Sequence, residues 1–468
     1  MNGPNVLERS LSLRLATFVA DTRDDALPAD VVDKAKRHVL DTLGAALAGA
    51  VATETRAALD IARAGGGHGA SSAWGTATTL GARDAAFVNG VAAHAFELDD
   101  SGGCDHSGAV VLPAAFAALA CTTRPVSGRE FLLAVVLGYD VGRRVLEACG
   151  GYSAHNGRGW HSTMTCGVFG AAATAARLLG LDAQRTAAAI GHAGSFSGGL
   201  WNFIHDASQT KRMHTGRAAE GGLLAALLAE RGVTGPSQLF ADVWGGFFNA
   251  FAPETSEPDA LLAGLGDAWK IMRCSIKPHA SCRSTHAAVD ATLALAGDAR
   301  GTPERVQSVR VRLSAFVDGM CGGRDVSRLA SAQMSLPYAI ASVLVHGDAS
   351  LGAYLDARRH DPRIAEVMAR IALDVDPSMS DLDEPEVTLT LTNGDTRAAQ
   401  VQVPLGDPHN PVSDAALLDK YRQLAGIAID AAQADALADA VLRIDALPDV
   451  RGLERLLAGD ADGRALLR

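Results

Sequence analysis

Ser208-Gln-Thr-Lys211-Arg-Met-His214-Thr-Gly216-Arg217-Ala-Ala-Glu220-Gly-Gly222 runs directly into Leu223-Leu-Ala-Ala-Leu-Leu-Ala-Glu-Arg231. The second half consists of strong helix formers and stops at Gly232. Lys211, Arg212, His214 and Arg217 are thereby placed on or just before the first turn of a buried helix. A helix N-terminus already carries partial positive charge and free N–H groups. Cations there suit a site that holds an anion, although a solvated basic turn would leave the same pattern.

Working outward, the chain reads as helix after helix from residue 8 to about 265. Val31–Ala48, Ala85–Phe96, Val110–Cys121, Gly128–Glu147, Gly167–Leu179 and Ala183–Ile190 all carry apolar residues at helical spacing. The pattern changes near Lys270. Arg305–Leu313 alternates with period two and predicts a strand. Glu386–Thr392, Asn393-Gly394 and Thr396–Val403 predict a hairpin. Ser335–His346 and Arg363–Ile371 predict helices between them. Pro404–Pro411 is a linker, and Ser413–Leu457 is helical again. The fold class expected is mainly α. A large all-helical domain (1–269 and 406–468) would carry a smaller inserted α+β lid domain (270–405).

The chain has 468 residues, enough for two cores, and 48% of them are apolar. A net charge of −11 argues against nucleic acid or an anionic membrane as the main partner. Its 7 cysteines form no C-x-x-C pair. No cysteine-ligated metal, iron–sulfur cluster or disulfide framework is predicted, and free thiols in a reducing cytoplasm are expected. The N-terminus lacks a signal-peptide pattern, and no apolar run is long enough to span a bilayer. Lysines are few: Lys34, Lys36, Lys211, Lys270, Lys277 and Lys420.

Three further clusters share the chemistry of the opening stretch. His94-Ala-Phe-Glu97-Leu-Asp99-Asp100-Ser101 sets carboxylates at a helix C-terminus, where they cost stability unless paired. It leads through Gly102-Gly103 to His106. Gly159-Trp160-His161 precedes another helix. Lys277-Pro-His279-Ala-Ser-Cys282-Arg283-Ser-Thr-His286 lies at the expected domain junction. Acidic residues on a helix could bind a divalent cation, but no second metal motif accompanies them, so no metal is expected. Together the clusters describe a pocket rich in Lys, Arg and His with one acidic corner. Such a pocket suits a small polycarboxylate and would stabilise the charge developed when a proton is lost beside a carboxylate. A lysine crowded by other cations would also be a better base.

These motifs resemble the MmgE/PrpD superfamily, whose members include 2-methylcitrate dehydratase, cis-aconitate decarboxylase and iminodisuccinate epimerase. The resemblance covers nearly the whole chain. It is carried by Asn89–His94 through Asp99-Asp100, His106-Ser-Gly to Leu112-Pro113, Gly159-Trp160-His161, Lys211–Gly216, Val233–Pro236, Lys277 to His286, and Ser335-Leu-Pro-Tyr338. It implies a helical domain with an α+β lid, a site between them, a homodimer, and no metal or organic cofactor. In the decarboxylase branch, residues matching Glu97, Ser101, His106, His161, Lys211, Lys277 and Tyr338 line the pocket. This chain departs from the family at several points. Glu97 stands where many members have Asp, Ser101 replaces a common Thr, and Arg212 stands where many have Pro. The loop to His106 is one residue shorter, and Arg217 lies at a variable position. The departures point to a different substrate.

The expectation is a cofactor-free, dehydratase-type lyase. Lys211 or His161 would be the base, His106 the acid and Asp99 its orienting partner. Arg212, His214, Lys277 and Arg283, with Glu97 and Ser101, would bind substrate, and Tyr338 would contribute from the lid. An epimerase or isomerase, a decarboxylase, and a non-catalytic carboxylate-binding protein are the alternatives.

Overall fold

A computed structural model of the chain describes residues 10–66 and 68–465. The N-terminal part is built from α1 (Leu11–Asp21), α2 (Ala29–Gly49), α3 (Thr53–Ala64), α4 (Ala82–His94), α5 (Gly108–Cys121), α6 (Gly128–Ala148), α7 (Gly167–Leu178), α8 (Ala183–Phe196) and α9 (Thr210–Glu230). The quoted stretch is thus helical from Thr210 to Glu230, with Gln209 at its N-cap. It packs against α4, α7 and α8. Small residues permit close approach of these helices. A Cβ on Gly90 would come within 2.8 Å of Gly216 Cα, so α4 and α9 touch backbone to backbone. The Thr215 hydroxyl donates to Gly90 O across the same contact at 2.7 Å. That contact brings the end of α4, with the carboxylates after it, beside the start of α9.

A second apolar core lies between α10 (His286–Ala296), α11 (Leu336–His346), α12 (Pro362–Ala369) and a four-stranded sheet. The strands are β1 (Val306–Leu313), β2 (Ile371–Val375), β3 (Glu386–Leu391) and β4 (Thr396–Gln400), in the order β2-β1-β3-β4. β1 runs parallel to β2, with Val309 opposite Ile371, and antiparallel to β3, with Val309 opposite Leu389. A register shift between Val306 and Ser308 interrupts the alternation, which then holds through Val309, Val311 and Leu313. α10 covers β3 and β4. The sequence placed Ile371 at the end of a helix. Instead α12 stops at Ala369 and β2 follows after Arg370 alone, a junction too abrupt for periodicity to show.

The chain then returns. α13 (Asp414–Ala425) packs along α2, and α14 (Ala431–Leu442) follows it there. Their apolar faces, down to Leu457 and Ala461, join the first core. Among the described residues, no helix is long and apolar enough to cross a membrane.

Candidate functional site

α4 ends at His94, and the chain turns sharply through Glu97, which has a left-handed φ of 55°. This conformation is uncommon for a side chain with a Cβ and costs about 1–3 kcal/mol. It aims the Glu97 carboxylate at the start of α9. Lys211 donates to Glu97 Oε1 at 2.5 Å, and Lys277 donates to Oε2 at 3.3 Å. All three side chains are buried. Burial alone would raise the pKa of Glu97, but Lys211, His94, Lys277 and Arg212 hold it well below the usual carboxylate range. Burial likewise pulls Lys277 down, yet Glu97 and Asp99 outweigh it and keep the ammonium charged. The lysine expected among other cations therefore sits directly on the carboxylate of the acidic corner.

Asp99 forms the second centre. Its Oδ1 lies 2.9 Å from His94 Nδ1, and its Oδ2 lies 2.9 Å from His106 Nδ1. His106 Nδ1 is also 3.0 Å from Asp100 O, and its Nε2 is 3.6 Å from Asp105 Oδ2. Burial disfavours the imidazolium of His106, but Asp105 and Asp99 prevail and raise its pKa. The other histidines go the opposite way: burial brings His94 and His161 to about 3 and His214 to about 4. Within this cluster His106 is therefore the imidazole whose neighbours favour the charged form. Asp105 too has a left-handed φ, 99°. Its carboxylate reaches from His106 to within 3.7 Å of His161 Nε2.

A cavity of 620 Å³ opens between the two cores onto Glu97, Ser101, Asp105, His106, Lys211 and Arg283. This volume suits a small organic ligand. Lys277 and Asp99 sit directly behind that wall. His161, fully buried, bonds to His214 (Nδ1 to Nδ1, 2.8 Å) and packs against Trp201 and Phe203. Lys211, His106, Lys277 and His161 thus converge as expected, but of these two imidazoles only that of His106 faces the cavity.

Two expectations are corrected in position and a third in its pairing. Arg212 donates to Gln333 Oε1 at 2.8 Å and lines a separate cleft behind Lys211. Its partner Gln333 also donates to Phe96 O and Ala280 O, so this arginine holds the two cores together. Tyr338 is buried in the second core, edge-on to Tyr354, with its hydroxyl donated to Ala353 O. The lid tyrosine therefore does not line the cavity. Arg283 does line it but is already met by Glu384 at 3.0 Å and Asp407 at 4.0 Å.

Sequence reasoning passed over His94 and Asp105, although each is adjacent to or one turn from a chosen residue. It also missed Lys420, on α13. The Lys420 ammonium donates to Asp41 at 2.5 Å and to the carbonyls of Leu98 and Lys277 at 2.7 Å each. It thereby pins the two backbone segments that carry the site, and the scarcity of lysine was its one available signal. Two groups have spacing a metal ion could use: His94, Asp99 and His106, and Asp105, His106 and His161. Both include His106, which a metal would require neutral.

Comparison with known proteins agrees over the whole chain. Residues 13–258 match the MmgE/PrpD N-terminal domain, and residues 279–445 match the MmgE/PrpD C-terminal domain. The second match extends over α13 and α14, which pack with the first core. A cis-aconitate decarboxylase of Aspergillus terreus is 30% identical, with 94% of each chain covered. A cis-aconitate decarboxylase-like protein of Aspergillus oryzae is 29% identical over 97% of this chain and 98% of its own. The human cis-aconitate decarboxylase is 26% identical over 96% of this chain and 95% of its own.

Proposed function

The chain belongs to the MmgE/PrpD family, and from that premise we propose that it is a lyase that decarboxylates a small unsaturated tricarboxylate of the cis-aconitate kind. The observation that carries this reading is the His106 imidazole, which faces the cavity with a carboxylate on either side. Dehydration needs a base as well as an acid. Decarboxylation of a β,γ-unsaturated acid needs only an acid. The bond to the leaving carboxylate breaks and carbon dioxide departs. Its electron pair forms a new carbon–carbon double bond, and the old π pair moves to the carbon beside a remaining carboxylate. That carbon takes a proton from His106, and water restores the proton afterwards.

Lys211 and Lys277 stabilise the charge that spreads onto the remaining carboxylate. Glu97 orients both ammonium groups and keeps them from folding back onto the leaving group. Asp99 orients His106, and Ser101 lines the wall beside it. His161 supports Asp105 from behind rather than meeting substrate.

A dehydratase-type lyase is the second reading. It is supported by Asp105, a carboxylate on the cavity wall next to His106 and 3.7 Å from His161 Nε2, placed to meet a proton of the substrate. Incubation with cis-aconitate in heavy water separates the two. Decarboxylation releases carbon dioxide and puts one solvent deuterium on the product carbon beside a carboxylate. Proton NMR showing no carbon dioxide loss from cis-aconitate, together with water loss from 2-methylcitrate, would replace the first reading with the second.

A further inference from the structure

The inner cluster has little charge to spare. Glu97, Asp99 and Asp105 face Lys211, Lys277 and His106, charge for charge. A ligand with several carboxylates needs further cations, and the same cavity supplies them at its mouth. Arg143, on α6, and Arg273, just before the Ser275 strand contact, both line it. Arg143 Nε is 2.9 Å and Arg273 Nη1 is 3.0 Å from the same oxygen, Glu147 Oε1. Lys270 occupies the other oxygen at 2.7 Å. Three cations therefore share one carboxylate. Among the described residues, no protein partner meets Arg143 Nη2 or Arg273 Nη2.

The mouth is also tied to the acid. Arg143 Nη1 donates to Gly103 O at 3.3 Å. Ser275 and Ser101 exchange backbone hydrogen bonds at 2.8 and 3.1 Å. The loop from Ser101 to His106 is thus clamped between the two arginines. Arg273 is itself crowded: burial lowers its pKa, and the neighbouring Arg143 lowers it further. An arriving anion would relieve that repulsion. The arginine chosen from sequence, Arg283, is by contrast already neutralised by Glu384 and Asp407.

We infer that Arg143 and Arg273 form an outer subsite that binds the central carboxylate of the substrate, which does not react. The assignment rests on the tricarboxylate-lyase reading and adds to it the place where the third carboxylate is held. Planar guanidinium groups match a carboxylate through paired donors.

The test uses two ligands that cannot decarboxylate by the allylic route. Tricarballylate has three carboxylates. Glutarate is the same skeleton without the central carboxylate, which does not react. Isothermal titration calorimetry would compare wild type with Arg273→Gln, whose side chain is 49% exposed and so separable from folding, and with Arg143→Lys. Arg273→Gln is expected to weaken tricarballylate by about tenfold or more, the loss of a charged hydrogen bond, and glutarate by less than twofold. Arg143→Lys, which keeps the charge but loses the fork, is expected to fall between. Equal losses for both ligands, or none for either, would overturn the subsite while leaving the lyase reading intact. Wild type that binds neither ligand would overturn both.

Discussion

The inner cluster and the cavity mouth contain the same kinds of side chain arranged to opposite effect. Around Glu97 and Asp99 each buried charge has a close partner of opposite sign. Around Glu147 cations outnumber the carboxylate that answers them. A buried charge without a partner is costly, so the interior must be balanced before any ligand arrives. At the mouth, where water still reaches Arg273, an excess of charge is tolerable and remains available for binding. On the proposals above, chemistry and recognition are separated in space along one cavity.

Breaking the balance inside should have the largest effect. Glu97→Ala leaves Lys211 and Lys277 buried without their carboxylate. About 3–5 kcal/mol of stability should disappear in urea denaturation, and turnover with it; unchanged stability would show the ammonium groups to be solvated. His106→Gln keeps the volume but removes the proton. Its kcat should drop about 10²- to 10⁴-fold with an unaltered circular dichroism spectrum.

Asp105→Asn sharpens the contrast more gently. Asp105 helps raise the His106 pKa above the ordinary value of 6.5. In wild type, the stabilising link to the charged form is complete below about pH 6.5 and fades as pH climbs through the folded pKa. Activity that needs the same proton declines on the same alkaline limb. In Asp105→Asn the limb of the kcat profile should move to lower pH; a limb that stays put would mean another group donates. The smallest effect is expected from Tyr338→Phe, which lies outside both regions. It should cost about 1 kcal/mol for the hydroxyl bond to Ala353 and change kcat by less than twofold.

Much of this was legible from residue order. Helical spacing, the Gly394 hairpin turn and the clustering of Lys, His and carboxylates beside helix ends are local signals, and the structure brings most of those clusters to one cavity. What stayed hidden depends on partners distant in the chain. Arg212 and Arg283 read as free cations because nothing nearby shows Gln333 or Glu384 reaching them. Arg143 reads as one polar turn of an apolar helix until Arg273 arrives beside the same Glu147. The strand Ile371–Val375 was lost because five residues flush against a helix leave no period to count. Glu97 and Asp105 show no sequence trace of their left-handed backbone, since that conformation is imposed by the surroundings.

Lys420 has a consequence for how the molecule is made. The residues that do chemistry are in place along the polypeptide well before the ammonium that fastens Leu98 and Lys277 into register. During synthesis the ribosome delivers the reactive groups first and their fastening late. A product cut short after the second core would carry each of those groups yet lack the tie between them.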